Sequence, residues 1–255
     1  MINSGKWRGL VVPVALVVIA EIAARSTEIT SDTLAAPSAI IVAGIKAMGD
    51  GTILAATGQT LATALGGLGL GLGIGLVFGI LLGIFPIADK LMEFSVEAFR
   101  PIPSVALLPI AMLVFGFGYR MEISIVAFGT MWPILILTRS AVAGIEPRLL
   151  EVSRVLGLGL FARVTKIVLP AALPRIFVAF RLAAGVALIV AVTVEIAANP
   201  LGLGYAIMSA QQSLDPALMF ALLVWIGLIG WGLNMLLVWA QSRLFGRAAI
   251  VEAAQ

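Results

Sequence analysis

The chain has 255 residues; 61% are hydrophobic, 11% are charged, and the mean hydropathy is +1.14. Soluble domains carry about 25% charged residues, so lipid is the expected solvent for most of this surface. Cysteine and histidine are both absent, which excludes disulfides, thiol nucleophiles, histidine metal sites and imidazole acid–base chemistry. The net charge of +3 sits in loops between apolar runs, the pattern of a topology signal and not of a nucleic-acid surface. About 20 apolar residues cross a bilayer as a helix. Residues 1–255 are therefore expected to form one all-α membrane domain of about six transmembrane helices.

The first apolar run is Gly9 to Ala24, behind Lys6 and Arg8. Glu21 lies inside it and no small-x-small cleavage site follows, so it reads as an uncleaved first span. Arg25 to Asp50 is more polar, with Thr27, Glu28, Ser31 and Asp32, and Pro37-Ser38 can open a short amphipathic helix at the membrane surface. Between Asp50 and Asp89 no charge occurs. A straight helix over that stretch would be about 57 Å long. One tilted span over Thr57 to Ile84 with an interfacial lead-in is expected.

Gly67, Gly71, Gly75, Gly79 and Gly83 recur at every fourth residue of that span and share one helix face. Small residues at this spacing let helix backbones approach closely in lipid. The partner is either another helix of the same subunit or a second subunit; the former is the simpler reading. The next run, from Asp89-Lys90 to Tyr119-Arg120, is interrupted by Arg100-Pro101-Ile102-Pro103 and by Pro109. Proline removes an amide donor and disturbs the preceding turn. In a membrane such a break survives only where protein or a water-filled cavity satisfies the backbone. A packed kink and a helix lining a path both satisfy the pattern.

A fourth span is expected over Glu122 to Thr138, a fifth over Ile176 to Ala197 and a sixth over Pro216 to Gln241, with the charge-rich Arg139 to Arg175 stretch between the fourth and fifth. With the N-terminus inside, the inner side holds Lys6, Arg8, Lys90, Arg100, Arg139, Arg148, Arg154, Arg163, Lys166, Arg175, Arg243 and Arg247, twelve in all; the outer side holds only Arg25, Lys46 and Arg120. That asymmetry places both termini and the 139–175 loop in the cytoplasm.

The loop has internal order. Pro147 can begin a helix, on which Arg148, Glu151 and Arg154 share a face. Gly157 and Gly159 can end it, and a second amphipathic piece, Leu160 to Val168, is expected to stop at Leu169-Pro170. The bland reading is a solvated surface helix; the other is a docking element. The spacing is Glu151-Val152-Ser153, three residues, Gly157, nine residues, then Ile167-Val168-Leu169-Pro170. This resembles the loop motif of ATP-binding cassette importer permeases: Glu-Ala-Ala, three residues, Gly, nine residues, Ile-x-Leu-Pro. Val152 and Ser153 replace the two alanines. Arg100-Pro101-Ile102-Pro103, Phe115-Gly116-Phe117-Gly118, Ala171-Ala172-Leu173-Pro174, Arg181-Leu182-Ala183 and Gly202-Leu203-Gly204-Tyr205 are similar to the nitrate, sulfonate and taurine branch. The resemblance covers roughly residues 55 to 245.

The resemblance implies a type I importer permease (MetI-like) fold in a bacterial inner membrane. It implies a transport subunit and not an enzyme, with no cofactor of its own. ATP and magnesium would be bound by two cytoplasmic ATPase subunits, a second permease copy would complete the path, and an extracytoplasmic solute-binding protein would deliver a small solute, such as nitrate, a sulfonate or taurine. It puts Glu151, Val152, Ser153, Arg154, Gly157, Leu169 and Pro170 at or beside the ATPase contact. Arg100, Pro101, Pro103, Arg181 and Glu195 are the candidates for the path or its gate, because prolines and ionisable groups inside spans are costly and face cavities or partners. Arg181 can also simply reach the headgroups. No G-x-x-x-x-G-K-[ST] loop is present, so ATP hydrolysis by this chain is not expected. The alternative is an ion-coupled secondary transporter or channel subunit, disfavoured by the scarcity of charges inside spans.

Overall fold

The computed structural model describes residues 5–26 and 34–252, which among the described residues form helices and connecting turns with no strand. The chain begins with α1 (Gly5–Ser26) and α2 (Pro37–Gly49), followed by a 33-residue α3 (Thr52–Ile84). After α3 come α4 (Pro86–Phe99), a 3-10 turn (Ser104–Leu107) and α5 (Leu108–Phe115), then α6 (Tyr119–Ala143) and α7 (Pro147–Val155). The last part holds α8 (Leu160–Arg163), a π turn (Val164–Val168), α9 (Leu169–Ala197), α10 (Gly202–Gln212) and α11 (Pro216–Glu252).

Among the described residues, four helices are long and apolar enough to cross a membrane: α3, α6, the continuous Leu160–Ala197 rod, and α11 to Gly246. The pair α4 and α5, bent by 83° at its break, raises the number to five. The 22-residue α1 is apolar and exposed along Val11 to Ile22, and in the six-span reading it supplies the first crossing. Thr27 to Thr33 of the polar connection lie outside the described residues.

The glycine face of α3 packs on α6 in register. Gly67 faces Val126, Gly71 faces Thr130, Gly75 faces Ile134, Gly79 faces Thr138 and Gly83 faces Val142, a step of four on each helix. The seam lies within the subunit. A β-carbon at Gly75 would stand 2.8 Å from the Met131 carbonyl oxygen, so only glycine permits this separation. The opposite flank of α6 meets α9 through Ala183, Ala184, Ala187 and Ala191, which join Met121, Ile125, Val126 and Ile134 in the main core. Outside the core, α2 and α10 are clasped by α3 and α11 around Ile53, Leu203, Ile207 and Leu222, and the Trp225 indole N–H donates to Thr57 Oγ1 at 2.9 Å.

The structure departs from the expected elements at three places. The span expected from Thr57 begins at Thr52, and its lead-in is the separate helix α2. The amphipathic piece expected to stop at Leu169-Pro170 does not stop: Leu160–Ala197 is one rod of 38 residues that runs through Pro170 and Pro174. The π turn just before Pro170 widens the hydrogen-bonding step, which accommodates a residue that offers no amide. The third difference is α10, which no periodicity announced, because eleven residues between Pro200 and Asp215 are too few to show a clear repeat.

Candidate functional site

Three groups of residues stand out, and they lie at different depths. The first is α7. Pro147 opens it, and Gly157 closes it in the left-handed region with φ +64°. The Leu158 amide then reaches back to the Ser153 carbonyl at 3.0 Å, the longer closure of a Schellman cap. Ser153 is fully buried, whereas Glu151 and Val152 are exposed, so the two positions that depart from the loop motif point opposite ways. The Arg154 side chain lies outside the described residues. Val155, Leu156 and Phe161 are 88%, 64% and 82% exposed, leaving an uncovered apolar edge beside Arg148 and Glu151. Leu169 packs against Ala141, Val142, Ile145, Ala172 and Ile176 and fixes the loop to α6 and α9; Pro170 is exposed on the same rod.

The second group surrounds the break between α4 and α5. A cavity of about 460 Å³ opens there, lined by Arg100, Ile102, Ser104, Gly129, Trp132 and Pro133, with Ile136, Leu137 and Val186 behind. Arg100 caps the end of α4, Pro101 sits in the turn that the Ile102 amide closes on the Phe99 carbonyl at 3.2 Å, and Pro103 is extended. The break is therefore not a filled kink. The Arg100 guanidinium has neither an ion pair nor a hydrogen bond among the described residues. Arg139 behaves differently: its guanidinium pairs with Asp89 at 2.6 Å and ties the start of α4 to the end of α6. The Trp132 indole N–H is buried without an acceptor, and its ring meets Phe128 edge-on at 5.6 Å.

The third group joins α3, α6, α9 and α10 near the far ends of the spans. Glu195 is 2% exposed. Its Oε2 accepts from the Gly204 amide at 2.8 Å and from the Thr60 hydroxyl at 3.0 Å. The Thr60 Oγ1 also accepts from the Leu203 amide at 2.9 Å, and Gln59 Oε1 accepts from the Gly202 amide at 2.9 Å. The orphan amides of the first turn of α10 are thus met by side chains of α3 and α9. Gly202 has φ +85° and lies flat against the Glu195 carboxyl, where any β-carbon would collide. Beside this clamp Asn199 Nδ2 donates to the buried Glu122 Oε2. A similar arrangement occurs at α2, where Glu21 accepts from the Ser38 amide at 2.9 Å and the Ser38 hydroxyl at 2.8 Å.

The five candidates for a path or gate are consequently separated. Arg100 lines the cavity, while Pro101 and Pro103 alternate with its lining residues Arg100, Ile102 and Ser104 and do not line it themselves. Arg181 donates to Gln241 Oε1 at 3.2 Å and braces α9 against α11, away from the cavity. Glu195 is enclosed in the clamp. Gln59, Thr60, Glu122, Ser104, Trp132 and Gln241 were not singled out by the sequence as site residues, whereas Asn199-Pro200 after Glu195 reads in the sequence as part of an outer gate. A usable signal existed for some of them: Gln59, Thr60 and Thr63 are adjacent polar residues in an otherwise apolar span, and buried polar groups need partners.

Comparison with known proteins places this geometry. Residues 71–249 match the binding-protein-dependent transport system inner membrane component family, and the chain belongs to that family. It is 29% identical over 226 residues to a Bacillus subtilis (strain 168) protein described as the aliphatic sulfonates transport permease SsuC, covering 89% of this chain and 82% of the relative. It is 29% identical to the nitrate import permease protein NrtB of Leptolyngbya laminosa, covering 65% of this chain and 60% of the relative. Its fold is similar to a chain of the inward-facing MetNI methionine ABC transporter, with TM-score 0.65 and 24% identity over 77% of this chain and 95% of the other. The all-helical architecture is that of a MetI-like importer permease.

Proposed function

We propose that this permease subunit carries a small anion, such as nitrate, a sulfonate or taurine, and takes its energy from a separate ATPase that docks on α7. The observation that carries the docking reading is the uncovered edge of α7 and α8: Val155, Leu156 and Phe161 exposed beside Glu151 and held at a fixed angle by Pro147, Gly157 and Leu169. A rigid element with an apolar stripe and a charged rim suits a groove on a partner. A ligand shifts a conformational equilibrium only through contacts that differ between states, and a helix joined to a span by two short turns can carry such a difference. In this reading Glu151, Val152, Arg154 and Gly157 meet the ATPase, Ser153 holds α7 to its own subunit, and Leu169 and Pro170 set the angle of the long rod. Two ATPase subunits, a second copy of this permease and an extracytoplasmic binding protein complete the importer. ATP and magnesium belong to the ATPase, and both termini of this chain face the cytoplasm. The relatives named above, one described for sulfonates and one for nitrate, support the anion class.

The test is reconstitution of the chain with its co-purified ATPase in proteoliposomes. Glu151→Arg is expected to abolish ATPase association and ATP-driven uptake while membrane insertion stays normal. Unchanged association, or gradient-driven uptake by the chain alone, would overturn the proposal in favour of a secondary transporter.

A further inference from the structure

The cavity under the α4–α5 break has a one-sided chemistry. Of its lining residues only Arg100 is ionisable, and no carboxylate lines it. Arg100 is exposed and has no ion pair or hydrogen bond among the described residues, although Glu93 and Glu97 stand on the same helix. The other polar side chain in the wall that can meet a ligand is the Ser104 hydroxyl; the Trp132 ring lines the wall with its indole N–H buried. A guanidinium only donates hydrogen bonds, and a hydroxyl can donate. Ile102, Pro133, Ile136, Leu137 and Val186 make up the rest. A guanidinium and a hydroxyl with no carboxylate beside them match an oxyanion, whose oxygens only accept. A cavity of about 460 Å³ falls within the roughly 300–1,000 Å³ of small-molecule sites.

We infer that this cavity is a holding station for a small oxyanion within the subunit, with Arg100 as the residue that selects negative charge and Ser104 as a further donor. The inference rests on the permease reading above and adds the place and residues of selection. Gly129 contributes space: a β-carbon there would stand 3.2 Å from Ser104 Oγ and crowd it. The apolar wall makes the station weak for a free inorganic ion and better for an anion carrying a short apolar group, because each buried CH₂ adds about 0.8 kcal/mol.

Trp132 reports on the cavity directly. The full chain, in a neutral detergent, is prepared with Trp7, Trp225, Trp231 and Trp239 replaced by Phe, so that Trp132 is the sole tryptophan and is excited at the red edge of its absorption, apart from the two tyrosines. Iodide, caesium and acrylamide probe access by an anion, a cation and a neutral molecule at constant ionic strength. The iodide quenching constant is expected to exceed that of caesium by about tenfold, the ratio given by one charge-assisted contact of ordinary strength. Arg100→Gln should remove this preference and leave acrylamide quenching unchanged, while Arg100→Lys should keep most of it. Sodium methanesulfonate should protect wild-type Trp132 from iodide. Equal quenching by iodide and caesium, or a preference that survives Arg100→Gln, would overturn the inference. Should Arg100→Gln elute as aggregate, Arg100→Met, which keeps the aliphatic stem, carries the same expectation. The measurement needs no ATPase, so absence of charge selection leaves ATP-coupled uptake standing, and loss of ATP coupling leaves the quenching result standing.

Discussion

Replacing Gly75 by alanine puts one methyl group into the α3–α6 seam. Its β-carbon would lie 2.8 Å from both the Met131 carbonyl oxygen and Ile134 Cγ2, about 0.6 Å short of the 3.4 Å at which ordinary contact begins. Ile134 is fully buried, and the carbonyl belongs to α6 itself, so neither can swing away. The helices must part by several tenths of an ångström along a seam where five glycines act together. Overpacking of this kind costs about 1–3 kcal/mol, against a helix-propensity gain for Gly→Ala of about 1 kcal/mol. Gly73 is the control: it lies on the same helix, and a β-carbon there meets nothing within 4 Å. Gly73→Ala should therefore be neutral or slightly stabilising. Gly75→Ala should lower the apparent melting temperature in detergent, and adding Gly79→Ala should lower it further. Fluorescence-detected size exclusion after a temperature series measures both. If Gly75→Ala proves as stable as Gly73→Ala, the glycine register does not set the helix separation.

Glu195→Ala should leave the Gly204 amide without its acceptor, while the Thr60 hydroxyl keeps the Ala56 carbonyl at 3.2 Å. With one buried donor stranded, it should cost about 1–3 kcal/mol in the same melting assay, with Glu195→Gln costing clearly less because its oxygen can still accept. Gly157→Ala requires a left-handed residue to carry a β-carbon. It should destabilise the end of α7 by about 1 kcal/mol, seen as reduced stimulation of the partner ATPase with little change in overall melting.

Of the six expected spans, four or five are long and apolar enough to cross among the described residues. The glycine seam was legible because lipid enforces it: a strict four-residue step has few other uses. The path residues were less so. Arg100 was readable as a charge next to two prolines, but nothing local distinguishes it from Arg181, another arginine at the end of an apolar run. Only the fold shows that Arg181 finds Gln241, sixty residues away, while Arg100 finds no partner among the described residues. Glu195 suggested a gate because a lone carboxylate in a span is costly. Its acceptor role depends on Thr60, 135 residues distant, and on the backbone of a helix too short to announce itself. The passage through Pro170 was hidden for a related reason: proline's local effect is to end a helix, and the π turn that absorbs it is a cooperative adjustment of the whole rod.

That rod is mechanically consequential. Leu160–Ala197 spans 38 residues, or about 57 Å at the standard rise. One end abuts the uncovered edge of α7; the other carries Glu195, which grips the first turn of α10. A tilt of about 5° at the α8 end moves the far end by about 5 Å, close to the 5.4 Å pitch of a helix turn. The Arg181–Gln241 contact, roughly midway, is where such a lever would bear on α11. A push of atomic size at α7 thus becomes a displacement of a whole short helix at the other end of the rod, with the π turn at Val164–Val168 lying between the push and the span.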